Sequence, residues 1–315
     1  MNPSFKPRIV VSRCLGFEAC RYNGQLAKND FAAHIEPFVE FITVCPEADI
    51  GLGTPRKPVR LIQGSDGVPR LVQPATGADV TAKMNSYIKE NMTALQNIDG
   101  FLLKSRSPSC GPSRVKIYVD AEKGSASEPG AGLYAEAASN HFSDVAIEDE
   151  GRMFDFHLRE AFLMRVFSLA RLRELEASPS LAAITKFHAN HKLLLMCYHQ
   201  DLMRQCGRIA SNSDGLSLEE LMKAYADQFR KTLVIQPKQS NIINALYHGY
   251  GWISEGLSAA EKTLFLDAVE EYRDDRITLA TLQLLLKSYV VRLDHNYLGS
   301  QTFLEPYPQA LCKVQ

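Results

Sequence analysis

Short apolar runs that end in polar turns mark the first half of the chain. Three of these runs are rich in β-branched and aromatic residues, which is typical of buried strands, and they cover residues 9–11, 41–44 and 101–103. Roughly 30 to 60 residues separate successive runs, and the helical patterns between them favour a parallel sheet. Further along, residues 133–140 predict a helix and residues 145–148 a late strand.

The pattern changes near residue 153, where apolar residues begin to recur at helical spacing. A Gly- and Ser-rich stretch at residues 123–132 predicts a flexible surface loop inside the first domain. The helices predicted for the second half cover residues 156–176, 181–209, 217–233, 240–252, 258–273 and 279–293. We therefore predict an α/β N-terminal domain with a parallel sheet over residues 1–152, followed by an all-α C-terminal domain over residues 153–315.

Composition describes an ordinary globular protein. Hydrophobic residues make up 45% of the 315 residues and charged residues 23%, and the net charge of −1 argues neither for nor against nucleic acid. The N-terminus has no signal-peptide pattern, and no apolar stretch approaches the roughly 18 residues that a membrane helix needs. We expect a cytoplasmic protein without a membrane partner.

Three of the seven cysteines stand where a predicted strand meets a Gly-, Pro- or Ser-rich turn. These are Cys14, Cys45 and Cys110. Ligands of parallel sheets bind at the carboxyl ends of the strands, so we expect the three thiols to face one crevice. Three thiolates without a fourth partner suggest a metal centre with one open coordination position.

The identity of such a metal is constrained by the ligands that the sequence lacks. Structural zinc sites usually have four protein ligands, often in Cys-x-x-Cys pairs, and no such pair occurs here. Three thiolates on an iron–sulfur cluster would leave one iron open to substrate. Cys20 is the only rival as a fourth ligand; we expect it to be a bystander, like Cys197, Cys206 and Cys312, because free cysteines are often just small buried hydrophobes. Cysteines that merely pack at strand ends remain the structural alternative.

Polar residues beside the thiols supply candidates for catalysis. Glu47 follows Cys45 across a proline and is a candidate general acid or base, although a surface ion pair would explain it equally. Ser107 and Ser109 flank a proline just before the third thiol, and Ser105 lies slightly earlier. Their hydroxyls are suited to orient a substrate or a water molecule, but such sequences are also ordinary turns.

Cations and an aromatic ring follow the first two thiols. Arg21 and Tyr22 open an Arg-Tyr-Asn-Gly sequence, and Arg56 closes a Gly-Leu-Gly-Thr-Pro-Arg sequence. We consider all three as possible substrate-binding residues, with a plain Asn-Gly turn as the alternative for the first sequence.

The early helices of the second half are basic. Between residues 152 and 208 nine Lys and Arg residues stand against five Asp and Glu residues. Such helices suit contacts with RNA phosphates, although a solvated helix face gives the same count. His191 falls in an apolar stripe, so we expect a hydrogen-bonded core histidine rather than a zinc ligand. The candidate RNA-binding residues are Arg159, Arg165, Arg173 and Lys192.

Three segments of the first half together resemble the thiouracil desulfurase (TudS) family over residues 7–150. They are Ser-x-Cys-Leu-Gly with Arg-Tyr-Asn-Gly, Val-Cys-Pro-Glu with Gly-Leu-Gly-Thr-Pro-Arg, and Leu-Lys-Ser-x-Ser-Pro-Ser-Cys-Gly. The resemblance implies removal of sulfur from thiolated pyrimidines by an enzyme with a 4Fe–4S cluster. It implies Cys14, Cys45 and Cys110 as cluster ligands, Glu47 as the catalytic carboxylate and Ser107 as the catalytic serine, with Ser105 and Ser109 as near alternatives.

The second half resembles a helical domain of unknown function that is often fused behind the desulfurase domain. The similarity lies in a Lys-Phe-His-x-x-His-Lys sequence at residues 186–192, a Gly-Tyr pair at 249–250 and the ending at 301–308. Such fused proteins resemble a desulfidase that acts on 4-thiouridine in transfer RNA. The expected substrates are therefore thiolated tRNA, free thiouracil or both, and a homodimer is another use for the helices. A non-enzymatic iron–sulfur RNA-binding sensor and a zinc-dependent hydrolase are the alternatives.

Overall fold

The first half of the chain contains a four-stranded parallel sheet. The structure is a computed structural model that describes residues 5–312. The described chain divides into two compact units: one is Lys6–Phe162 and the other, the helical unit, begins at Leu163, inside a helix. The strands are, in chain order, β1 (Arg8–Ser12), β2 (Glu40–Val44), β3 (Arg60–Gln63), β4 (Pro69–Gln73), β5 (Ala78–Asp79), β6 (Gly100–Leu103), β7 (Val115–Tyr118), β8 (Ser127–Gly130) and β9 (Ala146–Asp149).

The predicted parallel sheet is confirmed, with the order β2-β1-β6-β9. β1 pairs in parallel with both β2 and β6, and β6 pairs in parallel with β9. Ile9, Val10 and Val11 of β1 are fully buried, as expected for a strand covered on both faces. Because all four strands run the same way, their carboxyl ends lie along one edge of the sheet.

A second sheet was not predicted. It has five strands in the order β5-β4-β3-β7-β8, and only the β3–β7 pair is parallel. The stretch at residues 123–132, which we predict as a flexible loop, contains β8, so that part of the prediction is wrong. Ser127-Glu128-Pro129-Gly130 is an exposed edge strand, and backbone hydrogen bonds to β7 rather than an apolar face define it.

Three helices accompany the sheets of the first unit. They are α1 (Asp30–Ile35), α2 (Thr81–Ala94) and α3 (Leu133–His141), the last where the sequence predicts a helix. Along α2, Met84, Ile88 and Met92 recur at helical spacing and join one buried cluster with residues of both sheets.

Most of the helical unit consists of helices, as predicted. Its helices are α4 (Phe156–Ala177, which begins in the first unit), α5 (Leu181–Tyr198), α6 (Gln200–Ala210), α7 (Leu218–Val234), α8 (Gln239–Gly251), α9 (Ala259–Arg273), α10 (Leu279–Leu293) and α11 (Asn296–Gly299). Among the helices of the described residues, none is both long and apolar enough to cross a membrane.

One predicted helix is in fact two. The sequence predicts a continuous helix over residues 181–209, but His199 has an extended backbone with φ −161° and separates α5 from α6. Its Nδ1 accepts a hydrogen bond from the Leu202 N–H at 3.4 Å and so caps α6. Apolar spacing continues on both sides of the break, which is why periodicity does not reveal it.

His191 lies in the core of this unit, which confirms the expected role. Its ring is 3.9 Å from that of Phe187 and stacked on it, and Nδ1 donates to the Phe187 carbonyl at 2.8 Å. Burial lowers the pKa of His191 to about 3, with the nearby charge of Arg171 adding to the effect.

Candidate active site

A cavity of about 660 Å³ opens where the parallel strands of the first unit end. Cys14 lies two residues after β1, Cys45 directly after β2, and Cys110 in the turn that follows β6. All three thiols line the cavity, and each residue is between 6% and 8% exposed. The strand order explains this meeting, because β2, β1 and β6 are neighbours in the sheet.

The three thiols are close enough to affect one another electrostatically. Burial, followed by the influence of Cys45, raises the pKa of Cys14 to about 11. Burial also raises the pKa of Cys110 well above its ordinary value, with Glu47, Cys14 and Cys45 adding to the effect. Thiolates are therefore disfavoured here unless a positive charge, such as that of a bound metal, comes among them.

Cys20 lies in the same cavity as the three predicted ligands. It is 1% exposed, and burial, followed by the influence of Cys45, raises the pKa of its thiol to about 12. The Cys45 Sγ is 3.8 Å from the Cys20 carbonyl oxygen. Cys197, Cys206 and Cys312 do not line this cavity. Cys197 and Cys206 are buried in helices of the helical unit.

Glu47 is held from both sides of its carboxylate. Oε2 accepts hydrogen bonds from Nε and Nη2 of Arg56 at 3.0 and 2.7 Å. Oε1 accepts from the Ser109 hydroxyl at 3.1 Å and from the Ser107 hydroxyl at 3.4 Å. Arg56 also donates to the Cys20 carbonyl at 2.9 Å, so it ties the carboxylate to the loop of the fourth thiol. The ion pair that the sequence leaves open exists, but it is buried in the cavity wall rather than on the surface.

The three candidate serines have different surroundings. Ser107 Oγ accepts the backbone N–H groups of Ser109 and Cys110 at 3.2 and 3.1 Å, so one turn orients both this hydroxyl and the third thiol. Ser107 lines the cavity, whereas Ser109 is fully buried behind it. Ser105 also lines the cavity, but its hydroxyl donates to Oε1 of Glu150 at 2.7 Å.

Sequence reasoning missed a second polar network around Lys104. Its ammonium pairs with the Glu150 carboxylate and donates to Ser105 Oγ at 3.1 Å. The Lys104 backbone N–H donates to Ser12 Oγ at 2.8 Å, and Ser12 in turn hydrogen-bonds the Cys110 thiol. The position of Lys104 directly after β6 is a signal that was available, whereas nothing in the sequence pairs it with Glu150, 46 residues away.

The rim of the cavity is basic. Arg21 and Tyr22 line it as predicted, and Tyr22 is 44% exposed. Arg106, Arg114 and Arg152 line it as well, and none of these three was a candidate.

The four candidate RNA-binding residues differ in their surroundings. Arg159 is only 8% exposed, donates to the Met153 carbonyl at 3.2 Å and lies over the Phe156 ring. Arg165 and Arg173 are half-buried on α4. Lys192 of α5 alone among the four lines one of the described pockets, which lies in the helical unit.

Two family models match separate parts of the chain. Residues 9–150 match the family model described as 2-thiouracil desulfurase, and residues 192–308 match a model described as a protein of unknown function, DUF1722. The uncharacterized protein YbbK of Bacillus subtilis (strain 168) is 36% identical over 115 residues, which is 33% of this chain and 72% of that protein. A solved structure of the 4Fe-4S-dependent thiouracil desulfidase TudS is 29% identical, with a TM-score of 0.38 over 47% of this chain and 93% of that chain.

Proposed function

Because this chain belongs to the 2-thiouracil desulfurase family, we propose that it is a desulfidase that uses a 4Fe–4S cluster to exchange the sulfur of a thiolated uracil for oxygen. The observation that carries the proposal is the convergence of Cys14, Cys45 and Cys110 on the cavity that also holds Glu47 and Ser107. Thiols for a metal and groups for proton transfer thus share one site.

The donor set fits an iron–sulfur cluster. The three thiols are buried, and the charge of one thiolate raises the pKa of its neighbours: Cys45 acts on Cys14, and both act on Cys110. A strongly cationic, thiophilic group would stabilise the three thiolates together. Within the part of the chain that the structure describes, no three His, Cys, Asp or Glu side chains are gathered closely enough to hold a single metal ion. Thiols spread around a cavity are what a group of several irons requires. Cys14, Cys45 and Cys110 would hold it.

The reaction is a hydrolysis and needs no redox partner. One water adds to the ring carbon, the C–S bond breaks, and sulfur leaves as hydrosulfide while the oxygen stays as the new carbonyl. When bound, the cluster supplies a Lewis-acidic iron that attracts the soft sulfur of the substrate.

The side chains of the cavity supply the proton transfers and the orientation. Glu47 Oε1 accepts the proton of the attacking water and returns it to the ring nitrogen or the departing sulfur. The Arg56 guanidinium engages Oε2, whereas the partners of Oε1 are two neutral hydroxyls, so Oε1 is the oxygen we assign to this exchange. Ser107 is the cavity-facing hydroxyl beside Oε1 and orients the water or the base, whereas the buried Ser109 positions the carboxylate.

The substrate we propose is 4-thiouridine in tRNA, with free thiouracil as a smaller substrate of the same site. The cavity wall carries six Lys or Arg residues against the two carboxylates of Glu47 and Asp149. Among described residues neither Arg106 nor Arg114 forms an ion pair, and both are exposed at the rim. Cations at the entrance are suited to the phosphates next to a thiolated base in a polynucleotide.

Anaerobic reconstitution with iron and sulfide, followed by assays on 4-thiouracil and on 4-thiouridine-containing tRNA, tests the function. We expect a brown protein that releases sulfide from both substrates. A brown protein without turnover on either substrate would instead indicate an iron–sulfur sensor. Ser107→Ala should slow turnover much more than Ser105→Ala, because only the first removes a hydroxyl beside Glu47; the reverse order would reassign the catalytic serine.

A further inference from the structure

A second pocket, of about 560 Å³, lies wholly within the helical unit. Its walls come from one face of α5, from α6 and from the end of α8. His188, Lys192 and Met196 are spaced four residues apart along α5, so they share one side of that helix. Trp252, the only tryptophan of the chain, closes the pocket at the end of α8. We call this site the tryptophan pocket.

The tryptophan pocket is lined by cations without carboxylates. Lys192, Arg204 and Arg208 contribute three positive charges, and no Asp or Glu is among the lining residues. Arg204 is paired with Asp201 at 2.8 Å, outside the lining. Among the described residues, neither Lys192 nor Arg208 has an ion-pair partner. Two cations that face one pocket without a carboxylate favour an anionic ligand, and phosphate is well matched to an Arg and Lys pair.

The remaining walls suit a flat aromatic ligand. The Trp252 side chain is half-buried, and its ring lies 4.9 Å from that of Tyr297 at an interplanar angle of 54°. Met196 and Met203 add adaptable apolar surface. A Cβ on Gly207 would lie 3.0 Å from Nε2 of His188, so the absence of a side chain at Gly207 lets the His188 ring lie close against α6 in this wall.

We propose that the tryptophan pocket holds one nucleotide of an RNA strand, with its phosphate between Lys192 and Arg208 and its base against Trp252. Stacking on an aromatic ring next to cations is how single-stranded nucleic acids are bound without dependence on sequence. The inference rests on the proposed action on tRNA, and it gives the helical unit a defined contact with that substrate.

Trp252 provides a direct test, since all tryptophan fluorescence of the protein comes from this pocket. The full-length protein is titrated with UMP, uridine, inorganic phosphate and a short oligouridine. We expect saturable quenching by UMP, about tenfold tighter binding of the oligouridine, and little effect of uridine or phosphate alone at the same concentrations. Raising salt from 50 to 200 mM should weaken oligouridine binding roughly tenfold for two to three phosphate contacts.

Charge variants with a matched control sharpen the test. Lys192→Ala and Arg208→Ala should each weaken oligouridine binding about tenfold, read by Trp252 quenching. Lys231→Ala removes a similar charge from an exposed position on α7 outside the pocket and should bind as the unchanged protein does. Thermal unfolding of each variant shows that the fold is retained. For Trp252→Ala, anisotropy of a labelled oligouridine replaces the fluorescence readout, and we expect weaker binding there too.

The possible failures are distinguishable. Equal quenching by uridine and UMP, or unchanged binding by Lys192→Ala and Arg208→Ala, would overturn the pocket. Tight UMP binding without binding of the oligouridine would also overturn it, in favour of a free nucleotide ligand. Sulfide release from 4-thiouracil by the reconstituted protein is measured separately, so a failed pocket leaves the proposed desulfidase reaction standing, and a failed reaction leaves the binding result standing.

Discussion

In the thiol cavity Glu47 and Lys104 are each paired with an opposite charge, whereas in the tryptophan pocket Lys192 and Arg208 have no ion-pair partner among the described residues. The Glu47 carboxylate accepts hydrogen bonds from Arg56 and from two serine hydroxyls, and Lys104 forms an ion pair with Glu150. Lys192 and Arg208 line their pocket without any carboxylate. Paired groups are already oriented before a substrate arrives, which suits proton transfer. Cations without a protein partner can pair with an anionic ligand, which suits binding.

The largest expected effect is the difference between replacing a thiol of the cavity and replacing a thiol of the helical unit. Replacing Cys14, Cys45 or Cys110 by Ala should abolish the brown colour, the roughly four irons per chain and all turnover, because a cubane cluster needs these thiolates. Cys206→Ala, which removes a buried thiol from α6, should keep colour and iron. Iron analysis after anaerobic reconstitution is the measurement.

Cys20 is the internal check on that ligand set. Cys20→Ala should keep the iron, although its thiol lies beside Cys45. If Cys20→Ala loses the cluster while Cys14→Ala keeps it, the ligands are wrongly assigned and the comparison between the units rests on a different set of thiols.

Glu47→Gln should give the next largest effect. The amide keeps the size of the side chain but cannot carry the proton, so we expect roughly 100-fold or more loss of turnover, the usual scale for general acid–base catalysis. Iron content should be unchanged. Near-normal turnover in this variant would remove Glu47 from the mechanism and, with it, the idea that the cavity is arranged for proton transfer.

Acid should weaken the helical unit through His191. Its folded pKa of about 3 lies below the value of about 6.5 for an unfolded histidine. Above about pH 6.5 His191 is neutral in both states and does not lower the free energy of unfolding. As the pH falls below 6.5, the unfolded chain binds a proton at this residue that the folded chain does not, so the free energy of unfolding decreases. At pH 5 the loss from this residue is about 2 kcal/mol.

Unfolding at pH 7 and pH 5, followed by Trp252 fluorescence, measures this loss. In His191→Gln the difference between the two pH values should shrink, whereas His141→Gln, at an exposed position of the first unit, should retain it. An identical pH difference in His191→Gln and the unchanged protein would show that other groups cause the acid sensitivity.

The smallest effect concerns a helix cap. Ser217 and Glu220 form a reciprocal capping box at the start of α7, and Ser217→Ala should lower the free energy of unfolding of the helical unit by about 1 kcal/mol. The brown colour of the first unit should not change. Ser288→Ala, at a serine inside α10, is the control and should change stability by less than about 0.5 kcal/mol. Equal effects of the two substitutions would show that Ser217 does not stabilise α7 as a helix cap.

Local patterns predicted the parallel sheet but not its neighbours. β1 and β6 are buried apolar runs, so the sequence reveals both the strand and the turn after it. β2 is also an apolar run, but it is an edge strand of which only Val44 is buried, so the expected burial of residues 41–44 is wrong. β8 is defined by its backbone pairing with β7, and Ser-Glu-Pro-Gly has no apolar face to reveal it. The same limit applies to His199, whose extended backbone interrupts an unbroken apolar pattern.

For the candidate site, the sequence was informative where chemistry and strand ends coincide. The three predicted thiols, Glu47 and Ser107 all line one cavity. Their roles stay predictions. The sequence does not reveal which distant residues pair, as Lys104 does with Glu150. It also does not reveal that Arg159 is buried, because a charged residue is usually expected on the surface.

The wall of the thiol cavity formed by residues 13–29 contains no helix or strand, although it carries Cys14 and Cys20. Arg56 fastens it, through its guanidinium on the Cys20 carbonyl at 2.9 Å and its backbone N–H on the Tyr22 carbonyl at 2.8 Å. Segments fastened in this way exchange their amide hydrogens by local opening, at a lower free energy than the strands of a sheet. Deuterium should therefore enter this wall well before β1 or β6. We expect the same local opening to admit a bulky inorganic cofactor to the buried thiols while the sheet stays folded.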